Sequence, residues 1–136
     1  MNFNRTIDPR IKEIKLHSVP KIVRVNKFTE DSASKFAEDM DLARNSGQPI
    51  IPIVIDSYGG QVYSLMSMIA EIKNTEQRIA TIVESKAMSC GAVLCTFGSD
   101  GYRFMAPDAT VMIHDVSSGG RGKVEEVKAN AAESER

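Results

Sequence analysis

The sequence predicts a single α/β domain with a parallel sheet, built from repeated strand–helix–strand units. Three features lead to this prediction: an apolar run at 50–55, a glycine turn directly after it, and segments of helical apolar spacing on both sides. Short apolar runs bounded by turn residues are typical of buried strands, and apolar steps of three and four residues are typical of helices. Their alternation predicts βαβ units with right-handed crossovers.

The first half predicts a strand, a helix and a buried strand. Residues 21–25 are rich in β-branched residues, and Thr29 begins a helical pattern that ends before Gly47. The continuous apolar run 50–55 suits a strand covered on both faces, and Pro52 places its start near an edge or before full pairing.

The second half predicts a helix, a strand, a short helix and two more strands. The methionines Met66, Met68 and Met112 lie on apolar faces and are expected in the core, where methionine fills irregular gaps. Beyond His114 the chain is rich in glycine, and a helix with a sparse apolar stripe is expected over 123–136. The elements expected before that point are a helix at 61–74, a strand at 78–84, a turn at 85–88, a short buried helix at 89–97, and strands at 103–105 and 110–114.

Composition limits the class of protein. The chain has 136 residues, a net charge of −1 and no basic block, so neither nucleic acid nor an anionic membrane is an expected partner. This length suits one domain over residues 1–136. No targeting segment and no run of roughly 18 apolar residues is evident, so we expect a cytoplasmic protein.

Cys90 and Cys95 do not predict a metal site or a disulfide. Their spacing fits neither a CxxC pair nor a zinc half-site, and no second pair is present to complete one. We expect both to be small buried residues, with no metal and no cofactor.

Ser89 and His114 are the predicted nucleophile and base. Ser89 lies in the run K-A-M-S-C-G-A, and His114 ends the apolar run V-M-I-H. A serine hydroxyl becomes a useful nucleophile when a base within hydrogen-bond reach takes its proton. Upstream, Gly59 and Gly60 form a turn that lets substrate approach the backbone. Each residue also has a structural explanation: a helix cap for Ser89, backbone hydrogen bonding for His114, and positive φ for the glycines.

Taken together, these motifs resemble the ClpP family, the proteolytic subunits of the Clp protease, from about Lys21 to the end of the chain. The resemblance lies in the order and spacing as well as the letters, because Gly60 precedes Ser89 by 29 residues and His114 follows it by 25. The matching motifs are Gly59-Gly60, the run 89–92, Arg103-Phe104 with Pro107, the run 111–114, and Gly119-Gly120.

The resemblance implies the ClpP/crotonase superhelix of βαβ turns and a serine endopeptidase activity. Ser89 would be the nucleophile, His114 the general base, and the amides of Gly60 and Cys90 the oxyanion hole. Preorganised amides of this kind stabilise the charge that develops during acyl transfer.

The resemblance also implies substrates and partners. Gly59, Gly119 and Gly120 would border the cleft and pair with an extended, unfolded polypeptide, which is a form of β-augmentation. The family assembles into rings of seven subunits, which implies a homo-oligomer here, and a ring-shaped AAA+ unfoldase would deliver substrate with ATP.

The chain departs from the family pattern in three places. Tyr58 stands where the family has proline, so its side chain is expected to line the cleft. Residues 1–20 show no recognisable match and are treated as a divergent segment. The family's orienting aspartate lies beyond Arg136, so the fold is expected to be truncated before the end of the handle-helix region.

The identity of a third catalytic group, one that would orient His114, is therefore open. Asp115, Asp108 and Glu84 are the available carboxylates, although strand alternation directs Asp115 away from the partner of His114.

Three other functions remain open: an inactive scaffold subunit of a mixed ring, a relative of signal peptide peptidase A or phage head maturation protease, and a crotonase-type acyl-CoA enzyme. A lysine base would favour signal peptide peptidase A, and Lys86 is the nearest lysine to Ser89.

Overall fold

Five parallel strands form one sheet in the computed structural model of the chain, which describes residues 14–114. The strand order is β1-β2-β3-β4, and β5 also pairs with β3. The predicted α/β fold class, with helices between parallel strands, is confirmed. The elements are β1 (Val23–Val25), α1 (Glu30–Asn45), β2 (Ile50–Ser57), α2 (Val62–Lys73), β3 (Arg78–Met88), α3 (Cys90–Cys95), β4 (Arg103–Met105) and β5 (Thr110–Met112).

Helix α1 begins where the sequence predicts. The Thr29 hydroxyl accepts from the Ser32 N–H at 3.1 Å, and the Ser32 hydroxyl accepts from the Thr29 N–H at 2.9 Å, forming a capping box. Gly47 follows the helix with φ +87°, and a Cβ there would collide with the Lys15 carbonyl. The chain therefore leaves the helix through a position, two residues after Asn45, that requires glycine.

Strand β2 carries the centre of the core. Ile51, Ile53 and Ile55 are fully buried, whereas the alternating residues are only partly covered. The expectation of a strand covered on both faces is met fully on one face and only in part on the other, where residues 50, 52, 54 and 56 are half-buried. Pro52 precedes the first residue that pairs with β1, which is Ile53, as the sequence predicts.

The helices complete this core, but the methionines divide between core and surface. Met68 is 1% exposed, whereas Met66 is 55% and Met112 44% exposed, so the prediction that all three are core residues is wrong for two of them. Met66 and Met68 are two residues apart on α2 and cannot both face the sheet. Met112 lies on β5, whose three residues are all exposed.

Strand β3 is longer than predicted. It runs to Met88 and replaces the turn expected at 85–88, because Lys86–Met88 pair with Thr110–Met112 of β5. The register between β2 and β3 shifts just before this point, since Val83 lies opposite Ile55 but Ala87 lies opposite Ser57. Residues 84 and 85 between them are exposed and polar. They interrupt the apolar pattern by which the sequence would indicate a continuous strand.

Both cysteines are free thiols, and the expectation that both are buried holds for Cys90 but not for Cys95. Cys90 is buried, and Cys95 is partly covered, with its Sγ 2.9 Å from the Ala92 carbonyl oxygen. Burial raises the pKa of the Cys95 thiol, although Arg103 opposes the effect. Within residues 14–114, no group of three or more His, Cys, Asp or Glu side chains could hold a metal ion. In the same range, no helix is long and apolar enough to cross a membrane.

The two methionines of α2 provide a matched test of the core. Met68→Ala is expected to lower the free energy of unfolding by about 2–5 kcal/mol, because it removes a fully buried side chain. Met66→Ala is expected to change it by less than about 0.5 kcal/mol. Urea unfolding of both variants measures the difference, and equal losses would contradict the placement of α2.

Candidate active site

Ser89 occupies a strained turn between β3 and α3. Its φ and ψ are 55° and −117°, and within residues 14–114 it is the only residue other than glycine with positive φ. A non-glycine residue in this region costs free energy and persists only where its surroundings hold it in place. A serine on a strained strand-to-helix turn also exposes the nucleophile of α/β-hydrolases.

The helix-cap explanation for Ser89 does not hold. Its side chain makes no capping hydrogen bond to α3, and its backbone lies outside the extended region that N-caps adopt. Thr29, by contrast, has extended backbone and a complete capping box. The Ser89 hydroxyl is therefore not committed to starting the helix.

Strand β5 brings His114 to the same place as Ser89. The Ser89 N–H donates to the Met112 carbonyl oxygen at 2.9 Å, and His114 follows two residues later. Both residues line a cavity of about 470 Å³, which falls within the usual size range of ligand sites. The structure thus brings together the serine and the histidine that the sequence singles out.

The two glycines lie against this serine for steric reasons. Gly59 has φ +109°, and a Cβ there would lie 2.9 Å from the Ser89 Cβ and 3.0 Å from the Met88 carbonyl oxygen. Gly60 has φ +154°, and its Cβ would lie 2.6 Å from the Phe28 carbonyl oxygen. The expectation that these glycines are needed for positive φ is therefore correct. The same close approach places the glycine turn directly beside Ser89.

Gly60 and Cys90 both line the cavity and contact each other. The Cys90 thiol, a weak donor, lies 3.5 Å from the Gly60 carbonyl oxygen. Cys90 is the first residue of α3, so its N–H has no intrahelical acceptor. The first helical bond of this turn runs from the Val93 N–H to the Ser89 carbonyl oxygen at 3.2 Å.

Tyr58 also lines the cavity, as expected from its place in the turn. Lys86 does not line it, and its Nζ lies 2.8 Å from Asp56 Oδ1. The hydrogen bond to Asp56 raises the pKa of Lys86, with desolvation opposing the effect. A lysine held in its charged form cannot accept the serine proton, so the geometry does not support Lys86 as the base.

The carboxylates considered as a third catalytic group lie elsewhere or outside the described range. Glu84 lies 3.5 Å from Arg24 and lines a different cavity, and Asp108 lies in the exposed loop between β4 and β5. Within residues 14–114 no carboxylate lines the cavity of Ser89. Asp115, Gly119, Gly120 and the helix expected at 123–136 lie outside the described residues.

Sequence reasoning missed the apolar walls of the cavity, which are formed by Val62, Leu65, Val93 and Ile113. Two signals were available. Val62 and Leu65 begin the helix that follows Gly60, and Ile113 directly precedes His114. Only the fold shows that these segments converge on Ser89.

One comparison with known proteins covers nearly the whole chain. A family model described as Clp protease matches residues 12–136. The match includes every motif on which the resemblance rests and extends toward the N-terminus beyond Lys21.

The strain at Ser89 can be measured with two variants that both lack the hydroxyl. Ser89→Gly is expected to be more stable than Ser89→Ala by about 1 kcal/mol, because glycine adopts this positive φ without a Cβ clash. Urea unfolding gives the two free energies. An alanine variant as stable as the glycine variant would contradict the strained backbone.

Proposed function

The chain belongs to the Clp protease family, and on this basis we propose that it is a serine endopeptidase acting through an acyl-enzyme on Ser89. The observation that supports this most strongly is the position of Ser89. Its backbone is strained, its side chain makes no capping hydrogen bond to α3, and it shares one cavity with His114. A serine with only a structural role would gain nothing from this conformation, which costs stability.

In the proposed reaction, His114 takes the proton from the Ser89 hydroxyl as the oxygen attacks the carbonyl carbon of a peptide bond. The tetrahedral intermediate collapses, the amine leaves with the proton carried by His114, and an acyl-enzyme ester remains on Ser89. Water then attacks this ester with His114 again as general base, which regenerates the hydroxyl.

The amides of Gly60 and Cys90 are the proposed oxyanion hole. Both residues line the cavity, and the Cys90 thiol contacts the Gly60 carbonyl oxygen, so the two residues lie side by side. Removing one such donor in a serine protease costs roughly 10²–10³ in kcat. Gly59, beside Ser89, is proposed to border the bound polypeptide, together with Gly119 and Gly120.

The proposed substrates are unfolded polypeptides, delivered with ATP by an AAA+ partner to a homo-oligomeric ring in the cytoplasm. The family supports this arrangement. The exposed apolar residues of β4 and β5, among them Phe104, Met105 and Val111, are compatible with burial between subunits. Rings of seven subunits follow from the resemblance.

The nearest competing function is that of an inactive scaffold subunit. It gains support from the carboxylate-free cavity wall within residues 14–114, because a histidine base works best with a third group that fixes its tautomer. The presence of Ser89 and His114 in one cavity counts against it. A crotonase-type activity has no need for this pair.

The proposed reaction predicts that a fluorophosphonate probe labels the wild-type chain once. Ser89→Ala and His114→Ala are expected to abolish labelling, because they remove the attacking oxygen and its base. Intact mass after incubation measures the adduct, and peptide mapping places it.

Matched controls come from the same chain. Ser85→Ala removes an exposed serine of β3, and His17→Ala removes the other histidine of the chain, and both are expected to be labelled normally. A folded wild-type chain that takes up no probe would contradict the peptidase proposal and favour the scaffold subunit.

A further inference from the structure

Three side chains form a brace at the edge of the Ser89 cavity. Lys86 Nζ lies 2.8 Å from Asp56 Oδ1 and 4.6 Å from the centroid of the Tyr58 ring. An ammonium this close to an aromatic face is attracted by the negative charge of the ring face. We call this group of three, Asp56, Tyr58 and Lys86, the brace.

The strand register explains why these residues meet. Asp56 lies near the end of β2 and Tyr58 directly follows the strand, and Ser57 between them lies opposite Ala87 of β3. The register shift before this pair carries Lys86, next to Ala87, beside both of them. The hydrogen bond to Asp56 also raises the pKa of Lys86 from its ordinary value, which favours the charged ammonium further.

The brace presents an aromatic ring to the cavity. Tyr58 lines the cavity beside Ser89, whereas Lys86 and Asp56 do not line it. Tyr58 is 75% exposed, so without a further contact its side chain would lose little buried surface by rotating into solvent. The ammonium provides a contact that favours one ring position.

The remaining walls of the cavity are largely apolar. Val62, Leu65, Val93 and Ile113 contribute side chains, and the volume is about 470 Å³. A substrate side chain that enters this space beside Ser89 would therefore meet aliphatic groups and the Tyr58 ring.

We propose that Tyr58 is a specificity-determining residue whose ring contacts the substrate side chain next to the scissile bond and favours an aromatic side chain over a small one. Lys86 and Asp56 are positioning residues that hold the ring. The proposal rests on the proposed function, since it requires Ser89 to be the nucleophile. Aromatic pairs in offset or edge-to-face contact are more stable than their buried area alone predicts.

Two phosphonate probes test this preference. Both are diphenyl esters of an aminoalkylphosphonate, one with a benzyl and one with a methyl side chain. In each reaction the Ser89 oxygen forms a bond to phosphorus, one phenoxide leaves as phenol, and His114 transfers the proton. The measured quantity is the ratio of the two labelling rates, benzyl to methyl.

The wild-type chain is expected to favour the benzyl probe, and Tyr58→Ala is expected to lower the ratio about fivefold, within the range of aromatic pair interactions. Tyr58→Phe should keep the ratio, because the ring and its contact with the ammonium remain. Tyr63→Ala is the matched control, since Tyr63 is 83% exposed and lies outside the Ser89 cavity.

The positioning role is tested separately. Lys86→Met should lower the ratio part of the way toward that of Tyr58→Ala, and Lys86→Arg should restore it, because arginine also binds aromatic faces. A purely structural role for Lys86 would change both probe rates equally and leave the ratio unchanged.

The failures of the two proposals are distinguishable. A ratio that is unchanged in a folded Tyr58→Ala variant overturns the specificity role, and an unchanged ratio in Lys86→Met overturns the positioning role. If neither phosphonate nor a simple fluorophosphonate labels the folded wild-type chain, the proposed nucleophile itself is overturned.

Discussion

The site depends on how the C-terminal end of β3 is held. Ala87 is paired with Ser57 of β2, Met88 is paired with Met112 of β5, and the Ser89 N–H donates to the Met112 carbonyl oxygen. These contacts fix the chain immediately before a residue with positive φ, and the first hydrogen bond of α3 fixes it immediately after. A strained serine can persist because its neighbours on both sides leave it no relaxed alternative.

The same backbone pairing assembles the rest of the site. The hydrogen bond to Met112 places the end of β5, and with it His114, next to Ser89. The pairing of β2 with β3 places the glycine turn against the serine, where only a residue without Cβ fits. Ser89, His114 and the glycine turn are therefore arranged by main-chain geometry, and the proposed chemistry belongs to their side chains and amides. The glycines serve the fold and the proposed reaction at once.

Much of the fold follows from the sequence, and so do the motifs of the candidate site, because helical periodicity and motif spacing are local signals. The N-cap of α1 is of this kind, and so is the motif spacing that singles out Ser89 and His114, which the fold brings to one cavity. The extension of β3 through residues 85–88 is not, because its pattern is broken by an exposed register shift that depends on β2 and β5. Met66 and Met112 were misplaced because apolar character alone does not say which face an edge strand or a helix buries. The contact between Lys86 and Tyr58 is likewise tertiary, joining residues 28 positions apart.

The central claim is that Ser89 and the amides of Gly60 and Cys90 together form one acyl-transfer site. A crystal structure of the wild-type chain after reaction with a phosphonate tests it most directly. We expect phosphorus bonded to Ser89 Oγ, with the phosphoryl oxygen about 2.7–3.1 Å from the N atoms of Gly60 and Cys90. Phosphorus on another residue, or a phosphoryl oxygen directed away from both amides, would contradict the claim.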